Sequence, residues 1–342
     1  MKKLFLAAGA ALALLASCNK ETEMINPAPE ARPDGASVTI TLSSGDDAQT
    51  RAFFDATATA EAWEKSLSSL SVFTFNASGD LILRRDFTVS ELASKSATFS
   101  LPKSAAGTEC SFYAVANYDA SSAKTRSALT ALVEKSAGDY NGTFADVSTK
   151  ALRSGGFVMS GSTTKTVGAV NTSTQVGISL KRTVAKVALQ TSIAPEFSEK
   201  YPGSITINSV KLSRAASQSL IVAGEPSTGA MTYTHTQTPG TASSKYNSLF
   251  YLYETGTLDA GSRVLLEINA TYDSDGSSST SDDRSDVTYS VELTGKAAGQ
   301  ILRNGYYRVA ANITGLVGQD CQVSVTVADW ETPVTQSVDL GA

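Results

Sequence analysis

The 342 residues contain one histidine, two tryptophans, three cysteines, four methionines and nine prolines. The single histidine, His235, sits in the polar run Thr232-Tyr233-Thr234-His235-Thr236. There it reads as a hydrogen-bonded or solvated strand residue and not as a base. Zinc sites need clustered cysteine and histidine, which the chain lacks, so no metal and no cofactor are expected. No glycine-rich loop follows a strand to cradle a phosphate. Ser121-Ser122-Ala123-Lys124 and Ser162-Thr163-Thr164-Lys165 match a serine–lysine spacing used by acyl enzymes, but no Lys-Thr-Gly element supports them. The formal net charge of −5 comes without a basic cluster, which argues against nucleic acid as a partner. A catalytic constellation is absent, and the chain is not expected to be an enzyme.

Long apolar runs are also missing. The longest, Leu4 to Ala16, follows Lys2 and Lys3. It is too short to span a hydrocarbon core of roughly 30 Å and fits a secretory signal instead. It ends in Leu15-Ala16-Ser17-Cys18, which resembles a bacterial lipobox, so residues 1–17 read as a lipoprotein signal peptide and Cys18 as the lipidated residue. The polar Asn19-Lys20-Glu21-Thr22-Glu23 resembles the export tag of surface lipoproteins in Bacteroidetes. Residues 18–36, with Pro27, Pro29 and Pro33, read as a flexible tether to the outer membrane. Cys110 and Cys321, one in each half, read as two separate buried thiols, with a disulfide between them as the alternative.

What is abundant is threonine, serine, valine and tyrosine, with hydrophobic residues at 42%. That mix favours strands and turns. Val38-Thr39-Ile40-Thr41-Leu42-Ser43 alternates with period two and reads as a half-buried strand. Further strands are expected at 70–75, 81–87, 97–101 and 110–117, and, in a second block, at 184–189, 205–212, 249–253, 264–272, 287–293 and 306–313. Short helices are expected at 55–66, with Trp63 and Leu67 facing inward, and at 121–136. The acidic stretch from Asp273 to Asp286 reads as a solvated hairpin loop, with adventitious divalent-cation binding as the weaker alternative. The expected fold is all-β: two β-sandwich domains in tandem, residues 37–179 and 180–342, with a few short helices.

Several segments in order along the chain resemble the fimbrillins, the type V pilins of Bacteroidetes. They are the Cys18 lipobox, Thr50-Arg51-Ala52-Phe53, Leu70-Ser71-Val72-Phe73-Thr74-Phe75, Tyr113-Ala114-Val115-Ala116-Asn117-Tyr118 and Phe157-Val158-Met159-Ser160-Gly161. Leu180-Lys181-Arg182-Thr183-Val184-Ala185-Lys186-Val187, Tyr251-Leu252-Tyr253-Glu254, Asn304-Gly305-Tyr306-Tyr307-Arg308-Val309 and Val325-Thr326-Val327-Ala328-Asp329-Trp330 complete the series. The resemblance implies lipoprotein transport to the cell surface, an Arg-specific maturation cut between Arg51 and Ala52, and assembly with other pilin subunits into a fimbrium serving adhesion.

The residues suggest how assembly proceeds. A cut after Arg51 removes the lipid and the strand bearing Val38, Ile40 and Leu42, and leaves an apolar groove between bare strand edges. Near the C-terminus Val334, Val338 and Leu340 share one face of residues 334–340, a candidate donor strand for a neighbour's groove. Alternatives are an ordinary loop arginine at 51, a second cut at Arg32, and a C-terminal edge strand that stays in its own domain. Two other functions are open: a tip or anchor subunit of the same pilus, or a surface glycan-binding lipoprotein. The latter would need several exposed aromatic side chains, whereas the two tryptophans, Trp63 and Trp330, stand in structural-looking segments.

Overall fold

The computed structural model describes residues 35–43, 60–226, 230–277, 279–295, 298–316, 321–329 and 336–340. In chain order the first half gives β1 (Ala36–Ser43), β2 (Leu70–Phe75), β3 (Leu81–Asp86), β4 (Ser96–Leu101), β5 (Glu109–Ala116), β6 (Val133–Glu134), β7 (Met159–Thr166), β8 (Ser173–Ser179) and β9 (Lys181–Arg182). Eight of them form a five-stranded sheet ordered β3-β2-β5-β7-β9 and a three-stranded sheet ordered β4-β1-β8, and β6 stands apart from both. Period-two alternation places Val72, Phe112, Ala114 and Met159 of the larger sheet in one core with Val38, Ile40, Phe99, Val176 and Ile178 of the smaller. The opposite face of the larger sheet carries Phe73, Phe75 and Val115, which are covered by Leu129, Ile221 and Val222.

The second half gives β10 (Val184–Ile193), β11 (Ser204–Ala215), β12 (Ser219–Leu220), β13 (Tyr233–Gln237), β14 (Gly240–Ala242), β15 (Lys245–Tyr253), β16 (Leu265–Asp273), β17 (Arg284–Glu292), β18 (Gly305–Ile313), β19 (Cys321–Asp329) and β20 (Gln336–Leu340). A six-stranded sheet, β14-β15-β10-β18-β19-β20, faces a four-stranded one, β13-β11-β16-β17. Ala185, Val187, Leu189, Phe250, Leu252, Tyr307 and Val309 meet Leu212, Leu266 and Ile268 between them. The other face of the six-stranded sheet is not solvated. Val184, Ala188, Leu249, Tyr251, Tyr253 and Tyr306 join the core of the first half. Burial on both faces explains why Leu249-Phe250-Tyr251-Leu252-Tyr253 is apolar throughout.

Helices are few and short, as an all-β chain requires: α1 (Val89–Ser94), α2 (Arg126–Thr130), α3 (Phe144–Val147) and α4 (Pro195–Lys200). The helix expected over 121–136 shrinks to α2. Thr125 caps it by accepting the Ala128 N–H at 3.1 Å. Residues 133–134 are drawn away into a ladder with β12. In the segment expected to be helical over 55–66, the described part holds one 3₁₀ turn, Ala62–Lys65. Trp63 and Leu67 do pack inward against the core.

Candidate strand-exchange site

β1 lies between two neighbours that run in opposite senses. It pairs antiparallel with β4 (Val38↔Phe99, Ile40↔Ala97) and parallel with β8 (Val38↔Thr174, Ile40↔Val176, Leu42↔Ile178). Both of its backbone edges are therefore bonded. The ends are tied as well: Ser37 N–H donates to Thr172 O at 3.2 Å, Leu42 N–H to Lys95 O at 2.9 Å, and Leu180 N–H to Ser43 O at 3.0 Å. Ala36, Val38 and Ile40 are fully buried and Leu42 nearly so. The outward Thr39 hydroxyl meets that of Thr98 at 2.9 Å.

Burying Val38, Ile40 and Leu42 is worth about 1.5–3 kcal/mol for each side chain. Their sum is of the same order as the whole net stability of an ordinary domain, about 5–15 kcal/mol. Removing β1 would also strip hydrogen-bond partners from β4 and β8. Gly161 of β7 fixes how closely the two sheets approach beside this place: a Cβ there would lie 2.1 Å from Ser179 O and 2.8 Å from Ile178 Cγ2. This gives the Met-Ser-Gly stretch a steric reason.

Among the described residues β20 stands at the edge of the six-stranded sheet and is bonded on one side only, to β19, with Val325↔Val338 and Val323↔Leu340. Within a single chain residues 336–340 thus occupy their own sheet. β1 and β20 differ in kind: the first is central in its sheet, the second peripheral. Cys18, Arg32, Arg51, Ala52, Trp330 and Val334 lie outside the described residues.

A second constellation joins the two halves and was not anticipated from the sequence. Glu64, on the turn that follows the expected cut, forms a fully buried ion pair with Lys186 of β10 at 2.8 Å. Tyr251 OH donates to Glu64 Oε1 at 2.7 Å, and Arg182 Nε donates to Glu64 O at 2.9 Å. Arg182 also donates to Asn304 Oδ1 at 2.8 Å. Burial alone would raise the Glu64 pKa, but Lys186 and these donors outweigh it and hold the carboxyl below its ordinary value. The same burial, with the Glu64 charge beside it, raises Tyr251 far above the ordinary tyrosine value.

Glu134 is the counter-case. Arg153 Nε at 2.9 Å, Tyr140 OH at 2.8 Å and Thr183 Oγ1 at 3.0 Å all donate to it, yet burial dominates and its pKa is raised. The sequence signal for the first cluster was a lysine inside the apolar run Val184-Ala185-Lys186-Val187-Ala188-Leu189. A charge in such a run needs a buried partner.

The remaining candidates are dispersed. His235 of β13 makes a 3.0 Å contact from Nε2 to Gly142 O and packs edge-on to Phe250. Cys110 is a buried free thiol, raised in pKa by that burial. Lys124 Nζ donates to the backbone carbonyl of Ser121 at 3.0 Å. Ser162 and Lys165, three apart on β7, project to opposite faces of the strand. Among the described residues, no helix is long and apolar enough to cross a membrane.

A family model described as "Major fimbrial subunit protein (FimA)" matches residues 36–214. No curated protein sequence matches the chain. Solved structures share the fold. A cell adhesion protein from Bacteroides eggerthii superposes with a TM-score of 0.58 at 20% identity, covering 89% of this chain and 98% of that one. A second, from Parabacteroides distasonis, gives 0.59 at 16% identity over 89% and 99%. The tip fimbrial protein Mfa3 from Porphyromonas gingivalis, truncated at its C-terminus, gives 0.52 at 14% over 86% and 100%.

Proposed function

The chain belongs to the family of the major fimbrial subunit protein FimA, and from that premise we propose that it is a structural subunit of a surface fimbrium, built by strand exchange that proteolysis triggers. The observation that carries the reading is the position of β1. It is N-terminal to the expected cut, central in its sheet and buried along one whole face. A cut between Arg51 and Ala52 releases it, with the Cys18 lipid, from the rest of the chain. The slot between β4 and β8 then takes a strand from another subunit. The donor is the C-terminal segment 334–340, whose Val334, Val338 and Leu340 share a face. Its edge position in the described structure favours release, since one ladder is lost and not two.

Residues 37–179 and 180–342 act as two β-sandwich domains, the first accepting a strand and the second donating one. The partners are other fimbrial subunits, a maturation protease with arginine specificity, and the outer membrane through the lipid of the precursor. Before the cut, β1 fills its own slot and the precursor travels without polymerising.

Intact mass and N-terminal sequencing of protein sheared from cells test the reading. The expected chain begins at Ala52 and carries no lipid. A lipidated chain beginning at Cys18 would overturn it, in favour of an anchor subunit or a surface glycan-binding lipoprotein. The Arg51→Ala variant is expected to remain monomeric in denaturant-free gels, and abundant polymer from it would refute the trigger.

A further inference from the structure

We propose that the hairpin joining β16 and β17 binds a calcium ion, independently of how the subunit polymerises. Asp273 closes β16, and Asp275 and Asp283 stand in the loop. Each offers a carboxylate oxygen, and these oxygens all lie within 4.8 Å of one another. Two oxygens bound to one calcium at 2.3–2.6 Å lie at most about 4.6–5.2 Å apart, so every pair of these carboxylates falls within the span that one ion bridges.

A second observation points to a ligand. Asp273 is 8% exposed. Its Oδ2 accepts from Arg284 Nε at 3.0 Å, but its Oδ1 is shut off from solvent and meets no donor. Asp283 repeats the pattern: Oδ2 accepts from Ser274 Oγ at 2.7 Å and from Asp275 N at 2.8 Å, while Oδ1 is enclosed without a donor. Asp275 accepts from Ser277 N at 2.7 Å and Thr280 Oγ1 at 3.2 Å. An enclosed carboxylate oxygen without a donor forfeits its hydration and receives nothing in return. Two such oxygens in one loop, with three carboxylates set against the one guanidinium of Arg284, are the environment that a hard cation satisfies.

The choice of ion follows from the donor set: magnesium demands near-octahedral order at about 2.0–2.1 Å and keeps several of its own waters, whereas calcium accepts looser, more numerous carboxylate oxygens. The loop is also braced from below. Gly203, at φ +98°, lies so close that a Cβ would meet Asp273 O at 2.1 Å, and Tyr272 OH donates to Pro202 O. Three carboxylates, completed by water, place the affinity with extracellular calcium modules, at about 10⁻⁴–10⁻³ M.

The test is calorimetric titration of the chelator-treated full chain with CaCl₂, alongside Asp275→Asn and Asp283→Asn, with folding checked by circular dichroism. One saturable site in that range is expected, weakened at least tenfold in each variant that folds. Tryptic cleavage after Arg284 is expected to slow several-fold with calcium in the parent chain and not in the variants. Absence of saturable binding up to ten times that range overturns the proposal. So does an equal response to MgCl₂ at matched ionic strength, or binding that both variants leave intact.

Discussion

Glu64 and Glu134 are both carboxylates buried where the two halves meet, yet they respond to pH in opposite directions. Glu64 is depressed in the fold, so it adds stability above the unfolded value of about 4.3, and that stability is lost as pH falls through the lower folded value. Glu134 is raised, so the fold binds its proton more tightly than the unfolded chain does. Its contribution is present below about 4.3 and is lost as pH rises through the folded value. Urea unfolding as a function of pH checks both. The parent chain's advantage over Glu64→Gln is expected to shrink as pH drops below about 4.3. The difference between Glu134→Gln and the parent chain is expected to move in the variant's favour as pH rises from the same point. Lys186 is no ornament in this arrangement: with Tyr306 5.1 Å from its ammonium and Glu64 as counter-ion, it is accommodated in an apolar strand.

At the scale of the element, β1 separates packing from exposure residue by residue. Ile40→Ala is expected to cost the precursor about 2–5 kcal/mol, the range for a large aliphatic truncated in a core. Thr41→Ala, one residue on and facing outward, is expected to stay within about 0.5 kcal/mol. Denaturant midpoints of the two variants compare them directly. β1 was legible in the sequence because its alternation is complete, Val38, Ile40 and Leu42 against Thr39, Thr41 and Ser43. β8 was not, although its burial alternates just as strictly. Thr174 occupies an inward position there and satisfies its hydroxyl on the Gly168 N–H at 2.8 Å, so a polar letter stands where an apolar one was sought. The helix expected over 121–136 failed for a tertiary reason: Leu129, Leu132 and Val133 have helical spacing, but Glu134 is held by Arg153, Tyr140 and Thr183, and its strand pairs with residues 219–220. Local periodicity does not encode a partner some 85 residues away.

For the whole molecule, the two-faced six-stranded sheet decides how far the halves are separable. Residues 180–342 made alone would leave Val184, Ala188, Leu249, Tyr251, Tyr253 and Tyr306 on an open apolar face. That fragment is expected to bind a hydrophobic dye strongly or to associate, where the full chain does neither. Fluorescence and light scattering distinguish them. The face that the two halves share was not legible in the sequence, since the run 249–253 looks the same whether its second side meets a helix, a sheet or another domain. The position of β1 also has a mechanical meaning. A strand bonded along both edges and pulled along its own axis must break its bonds together, in shear, whereas an edge strand peeled sideways yields them one at a time. In a fibre assembled as proposed, each joint would sit in that two-sided slot, so tension between a cell and the surface it holds would fall on the geometry that resists it best.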